Sequence, residues 1–217
     1  MTLDLSAYLV VGPEQAGDRG VLATIEAAAR GGLTAVQLRD KLASARSLVE
    51  LAGQVRRVIA GSGIRLFIND RLDVALAAGA DGVHLGQSDL DVVSARRIAG
   101  PGFLIGLSTS TSDEIARASA LSAGTVDYLG IGPVFDTTTK ADAPPGLGLA
   151  AVARLRAGTT LPCVGIGGIT AENAASVWQT GLAGLAAVSM ICAADDPAVA
   201  TARLLAGQRQ LAAEGAR

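Results

Sequence analysis

The 217 residues are 50% apolar, 18% charged and only 3% aromatic, with a formal net charge of −2. So much Ala, Val, Leu and Ile buries enough surface to offset chain entropy, which excludes a disordered chain, and the length suits one domain spanning residues 1–217. Lys and Arg are scattered with no basic run, which excludes a general nucleic-acid binder.

Along the chain, short and nearly continuous apolar runs fall at 7–11, 35–39, 66–69, 82–85, 103–108, 127–132, 163–167 and 185–189. Continuous rather than alternating runs read as strands buried on both faces of a parallel sheet. Ala-rich segments with helical spacing lie between them, such as 43–60 and 113–122, and a final amphipathic helix is expected over 196–217. Ser112 before Asp113-Glu114 and Thr170 before Ala171-Glu172 read as helix N-caps. Between the third and fourth runs there is room for only a brief helix.

Eight such units predict an α/β fold, a (β/α)8 TIM barrel, with its active site at the C-terminal ends of the strands. An open doubly wound sheet is the competitor, but neither of its glycine-rich nucleotide loops occurs. The start of the chain lacks the basic residues of a secretory signal. The uncharged window 173–194 is interrupted by Gly and polar residues, so it reads as a helix and a buried strand instead of a membrane span. Cys163 and Cys192 both lie in apolar sequence and are expected as buried thiols in a reducing cytoplasm.

The predicted strand ends collect polar residues. Gln37, Arg39 and Lys41 alternate onto one side of the second strand, where a guanidinium and an ammonium can grip a phosphate, or else are solvated loop charges. Asn69-Asp70 ends the third strand and Asp89 follows the fourth. Two carboxylates on neighbouring strands suit Mg²⁺, although each Asp also stands where a helix cap could. Ser108 ends the fifth strand. A Thr-rich loop carrying Thr137, Thr139 and Lys140 follows the sixth and reads as a lid. Gly167-Gly168 ends the seventh strand, where absent side chains would let an anion approach the backbone, and Val188-Ser189 ends the eighth. His84, the single histidine, lies within the fourth strand and reads as a packed or hydrogen-bonded core residue.

Taken in order, several motifs resemble the thiamine phosphate synthase family. They are Gln37-Leu38-Arg39-Asp40-Lys41, Ile68-Asn69-Asp70-Arg71, Gly82-Val83-His84-Leu85-Gly86-Gln87-Ser88-Asp89, Gly130-Ile131-Gly132-Pro133-Val134-Phe135 with Thr137-Thr138-Thr139-Lys140, and Gly165-Ile166-Gly167-Gly168-Ile169-Thr170. The resemblance implies a transferase that joins hydroxymethylpyrimidine pyrophosphate to a thiazole phosphate, in many members carboxylated, and releases pyrophosphate. It implies that Gln37, Arg39, Lys41, Asn69, Ser108 and Lys140 bind the pyrimidine pyrophosphate, with Arg39, Lys41 and Lys140 stabilising the leaving group. It further implies that Asp70 and Asp89 hold Mg²⁺, and that Thr137, Thr139, Gly168, Val188 and Ser189 place the thiazole phosphate. Partners are then small-molecule substrates, with no nucleic acid and no membrane, and a homo-oligomer is compatible.

Two positions depart from the family pattern. Ser110 stands where the family often has histidine, a residue that related thiazole tautomerases use for proton transfer, and Asp136 stands where proline is usual. A tautomerase-like isomerase of the same barrel type, or a non-catalytic barrel binding a ligand of the same pathway, are the alternative functions.

Overall fold

The structure is a computed structural model that describes residues 3–137 and 144–215. Eight strands form it: β1 (Ala7–Val11), β2 (Ala35–Leu38), β3 (Arg65–Asn69), β4 (Gly82–Leu85), β5 (Leu104–Thr109), β6 (Tyr128–Ile131), β7 (Cys163–Ile166) and β8 (Gly184–Ala187). They pair in parallel in sequence order, and β8 closes onto β1. The expected (β/α)8 barrel is the observed fold.

Helices follow each strand. β1 leads through α1 (Pro13–Ala16) and a single 3₁₀ turn into α2 (Val21–Arg30). Next come α3 (Ala45–Val58), α4 (Leu72–Ala78), α5 (Val92–Ala99) and α6 (Ser112–Ser119). The ring ends with α7 (Leu149–Ala157), α8 (Ala174–Trp178), α9 (Ser189–Cys192) and α10 (Pro197–Gly215). The brief helix expected between the third and fourth strands is α4. Among the described residues no helix is long and apolar enough to cross a membrane.

Two caps differ from expectation. Thr111, one residue before Ser112, caps α6: its hydroxyl accepts from the Glu114 amide, and the Glu114 carboxylate accepts from the Thr111 amide in return. The capping residue pairs with a Glu three positions on, and that spacing selects Thr111 over Ser112. At α8 the helix proper begins at Ala174, because 171–173 form a turn in which Asn173 Oδ1 accepts from the Thr170 amide. The eighth strand is also shorter than its apolar run. Val188 leaves the extended region at φ −117°, ψ −87°, and Ser189 opens α9.

Strand alternation divides the side chains in two. One set, including Leu9, Val11, Val36, Leu38, Leu66, Ile68, Val83, Leu85, Ile105 and Leu129, packs outward against the helices and is fully buried. Each such side chain contributes about 1.5–3 kcal/mol by leaving water. The other set faces the barrel axis, and its base is filled by Leu5, Tyr8, Ala35, Phe67, Tyr128, Val164 and Ala186. Across β1, β2, β3 and β4 the register runs Val10–Gln37–Phe67–Gly82, which places the following inward residues, Asn69 and His84, side by side one layer higher. Ion pairs sit at the opposite, N-terminal end: Arg65 with Asp81 at 2.8 Å and Arg96 with Asp127 at 2.7 Å. Cys163 and Cys192 are free and buried, and burial pushes both thiols up to about 11, so neither is a thiolate near neutral pH.

Candidate active site

The C-terminal strand ends surround a cavity of about 590 Å³. Gln37, Arg39, Lys41, Asn69, Asp70, Asp89, Ser108, Thr137, Gly168, Val188 and Ser189 all line it. The sequence-predicted site is therefore assembled in one place, apart from Thr139 and Lys140, which lie outside the described residues.

Asp70 and Asp89 come from neighbouring strands, and their carboxyl groups lie within hydrogen-bonding reach of each other. Burial first, and then the adjacent Asp89, hold the Asp70 carboxyl above the usual carboxylate range, while Lys41 and Asn69 pull it back. The Lys41 ammonium is 3.9 Å from Asp70 Oδ2. Neither aspartate caps a helix. Arg71 stands at the α4 N-cap without a side-chain bond, and Asp91 caps α5 by accepting from the Ser94 amide at 2.9 Å. Asp89 Oδ2 instead accepts from the Gly86 amide at 2.7 Å, which shapes the loop that presents it. Asp70 is the one non-glycine among the described residues with positive φ, at 61°. Such backbone strain, held in place by the Asp70 amide's bond to the His84 carbonyl at 2.9 Å, aims the carboxyl into the cavity.

Two carboxylates, with no cluster of three or more His, Cys, Asp or Glu among the described residues, suit a hard cation that keeps water and takes substrate phosphate oxygens. Arg39 has no carboxylate partner among the described residues, so its guanidinium is available to an anion.

On the other side of the barrel, Gly167 and Gly168 adopt φ of 102° and 63°. A Cβ at Gly167 would lie 2.6 Å from Pro133 Cβ, and one at Gly168 would lie 2.7 Å from Phe135 Cβ. The glycines are thus required by the loop after β6, which packs where their side chains would be. Both glycines also line the cavity. That loop is fastened to β7 by the Val134 amide donating to Ile166 O at 2.8 Å and the Phe135 amide to Gly167 O at 3.1 Å. Asp136 closes its base: Oδ1 accepts from the Gly146 amide at 2.8 Å. Ser110 serves the neighbouring helix, its amide and hydroxyl both donating to Glu114 Oε2, at 2.6 and 3.1 Å.

The wall and floor are formed by interior residues, among them His84, which is hydrogen-bonded as its place within the fourth strand led one to expect. His84 lines the cavity, with Nδ1 2.9 Å from Tyr128 Oη and Nε2 2.9 Å from Ser108 Oγ. Burial lowers its pKa to about 4 against the opposing pull of Asp89, which leaves the ring neutral. Tyr128 Oη is 2.8 Å from Tyr8 Oη, which accepts from Gln37 Nε2 at 3.0 Å. The rings of Tyr8, Phe67 and Tyr128 pack with centroids 5.4 to 6.1 Å apart. The available signal was glycine. A Cβ at Gly106 would collide with the Tyr128 ring and lie 2.5 Å from His84 Nδ1, and one at Gly130 would lie 3.0 Å from His84 Cε1. Glycines inside β5 and β6 mark side chains crossing the axis from neighbouring strands.

The family model described as thiamine monophosphate synthase matches residues 7–191. A thiamine-phosphate synthase of Xanthobacter autotrophicus is 51% identical over 203 residues, covering 94% of this chain and 95% of that one. One from Azorhizobium caulinodans is 50% identical over 193 residues, covering 89% and 90%. Among solved structures, thiamine phosphate pyrophosphorylase from Pyrococcus furiosus superposes with a TM-score of 0.84 at 33% identity, covering 96% of each chain. A 3-hexulose-6-phosphate synthase, 21% identical with a TM-score of 0.68, shares the fold. With the matched residues running from β1 into α9 and so through every strand that supplies the cavity, the chain belongs to the thiamine monophosphate synthase family, a family of enzymes.

Proposed function

We propose that the cavity condenses hydroxymethylpyrimidine pyrophosphate with a thiazole phosphate, giving thiamine phosphate and pyrophosphate. The observation that carries this reading is the Asp70–Asp89 pair beside Arg39 and Lys41, an acidic and a basic cluster sharing one wall. A diphosphate leaving group needs both: cations for its oxygens, and carboxylates for the Mg²⁺ that it would bring. Asp70 and Asp89 would hold that ion, whose charge would offset the charge developing on the diphosphate.

The chain's own groups suit a dissociative step. The bond between the exocyclic methylene and the diphosphate oxygen breaks, and its electron pair leaves with the diphosphate. Arg39 and Lys41 stabilise that charge, while the electron-rich aminopyrimidine carries the cation left behind. The thiazole nitrogen then donates its lone pair to the methylene carbon. Little proton transfer is required, in keeping with a single histidine whose ring is neutral and engaged at both nitrogens. Gln37, Asn69 and Ser108 would hold the pyrimidine substrate. Thr137, Gly168, Val188 and Ser189 would orient the thiazole phosphate, which places the second reactant before the first bond breaks. By the family resemblance Lys140 would bind the pyrimidine pyrophosphate and Thr139 the thiazole phosphate.

The test is incubation of the pure protein with both substrates, with Mg²⁺ and with chelator. Thiamine phosphate and pyrophosphate in equal amounts, abolished by chelator, is the expected result. No product with any divalent ion overturns the proposal, and turnover of the thiazole phosphate alone in chelator would point to the isomerase instead.

A further inference from the structure

Hydrogen bonds cross the barrel interior in an unbroken series from Gln37 through Tyr8, Tyr128 and His84 to Ser108. The residues at its two ends line the cavity, as do the three between them. Each hydroxyl in the series has one hydrogen and two lone pairs; Tyr8 and Tyr128 are buried and, among the described residues, hydrogen-bond only within the series, so with Gln37 donating at one end a single polarity leaves neither phenol hydrogen without an acceptor. Gln37 Nε2 donates to Tyr8, so the Tyr8 hydrogen goes to Tyr128 Oη. Tyr128, accepting there, sends its own hydrogen to His84 Nδ1. Nδ1 therefore carries no proton, the ring's hydrogen sits on Nε2, and Nε2 donates to Ser108 Oγ.

We propose that His84 is a positioning residue, held by Tyr128 as the Nε2–H tautomer, that turns the Ser108 hydroxyl into a donor facing the cavity. With its oxygen occupied by His84, Ser108 has its hydrogen left to offer. Its carbonyl accepts from Gln87 Nε2 at 2.8 Å, which ties it to the loop that carries Asp89. The hydroxyl thus stands on the wall where the acidic pair faces the cavity, and an anionic oxygen, which only accepts, meets a donor there. At the other end, Gln37 keeps Oε1 as an acceptor. Reversing the series would take Ser108's hydrogen for His84 and leave the anion facing a lone pair. The assignment of substrate to the two ends rests on the proposed condensation; the tautomer does not.

His84 is the one histidine in the sequence, so long-range ¹H–¹⁵N spectra of the tag-free protein at neutral pH report its ring without assignment. The expected result is the Nε2–H tautomer, lost or mixed with Nδ1–H in Tyr128→Phe, which removes the donor to Nδ1. Tyr8→Phe leaves His84 Nδ1 as the acceptor for the buried Tyr128 hydrogen, so it keeps the tautomer while releasing Gln37. In turnover, His84→Phe should raise KM for the pyrimidine pyrophosphate about tenfold and leave KM for the thiazole phosphate within about twofold. An Nδ1–H tautomer in the parent protein overturns the proposal, as does a tautomer unmoved by Tyr128→Phe. Should Tyr128→Phe fail to fold, Ser108→Ala removes the acceptor at Nε2 and must disturb the same signal. The spectra need no substrate, so their outcome is separate from that of the two-substrate assay.

Discussion

The Asp70 amide donates to the His84 carbonyl at 2.9 Å, so the residue that follows β3 and the residue whose imidazole belongs to the interior network are joined by one backbone bond. That bond holds Asp70 at φ 61°, a conformation that costs stability and that Asn and Asp tolerate better than other side chains. Both the backbone and the carboxyl of Asp70 are thus kept in unfavourable states. Its carboxyl is raised by burial and then by Asp89, so its folded pKa exceeds the unfolded one. Such a group contributes most below the unfolded value, and that contribution is lost as pH rises through the folded one.

Asp70→Asn should therefore raise the melting temperature of the metal-free protein at neutral pH by a few degrees, while removing about a hundredfold or more of the activity. Mg²⁺ should raise the melting temperature of the parent and leave that of the variant unmoved. Thermal melts with and without Mg²⁺, set beside turnover, check all three. A residue that merely capped a helix would change little in either measurement, because Asn caps as well as Asp.

Gly106 is where the interior network depends most plainly on an absent side chain. Gly106→Ala would drive a methyl group into the Tyr128 ring and against His84 Nδ1, both in rigid surroundings. Overpacking of this kind costs about 1–3 kcal/mol, and because the displaced groups line the cavity, substrate affinity should fall with stability. Denaturant unfolding and KM measured on one preparation test the linkage; Gly124→Ala, at a site with open space but φ 78°, should lose stability alone.

How far the site could be read from sequence depended on where its information lay. Arg39, Lys41, Asp70 and Asp89 follow apolar runs, and a barrel delivers strand ends to one rim, so strand order alone gathered them. Tyr8, His84 and Tyr128 lie 44 or more positions apart along the chain, inside strands that read as core. Their meeting depends on shear, which sets which inward residues share a layer, and one chain's pattern does not reveal shear. Of the few aromatics in the sequence, Tyr8, Phe67 and Tyr128 are therefore the ones that gather on the axis. Ser112 failed as a cap for a smaller reason: two adjacent hydroxyl residues compete, and Glu114 decides between them by reaching back to Thr111.

The N-terminal end of the barrel should carry stability without activity. Asp127 Oδ2 accepts from the Ile105 amide at 2.7 Å and from Arg96 Nη2 at 2.7 Å, and Arg96 Nη1 also donates to the Phe103 carbonyl at 2.5 Å. Asp127→Ala strands a strand amide and a half-buried guanidinium, at a cost of about 1–3 kcal/mol. Denaturant midpoints should fall accordingly, with KM for both substrates unchanged, because these groups stand at the far end of β5 and β6 from the cavity.

Asp136 departs from the proline that the family resemblance leads one to expect, and its carboxylate takes over the fastening of the loop base. Oδ1 accepts from the Gly146 amide, across the segment that carries Thr139 and Lys140. The backbone on either side is already tied, Leu147 to the Pro133 carbonyl and Gly148 to the Val134 carbonyl, each at 2.9 Å, so the carboxylate adds the outermost rung. An exposed rung adds about 1 kcal/mol or less to global stability. Its larger effect should be on the placement of the adjacent Thr137, which lines the cavity. Asp136→Ala should leave the melting temperature within about two degrees and lower kcat/KM several-fold, whereas Asp136→Asn, which keeps an acceptor at Oδ1, should recover most of the loss. If the carboxylate acted by repelling the substrate phosphates, both replacements would instead raise kcat/KM, and a salt titration separates the two, since repulsion fades with screening and the hydrogen bond does not.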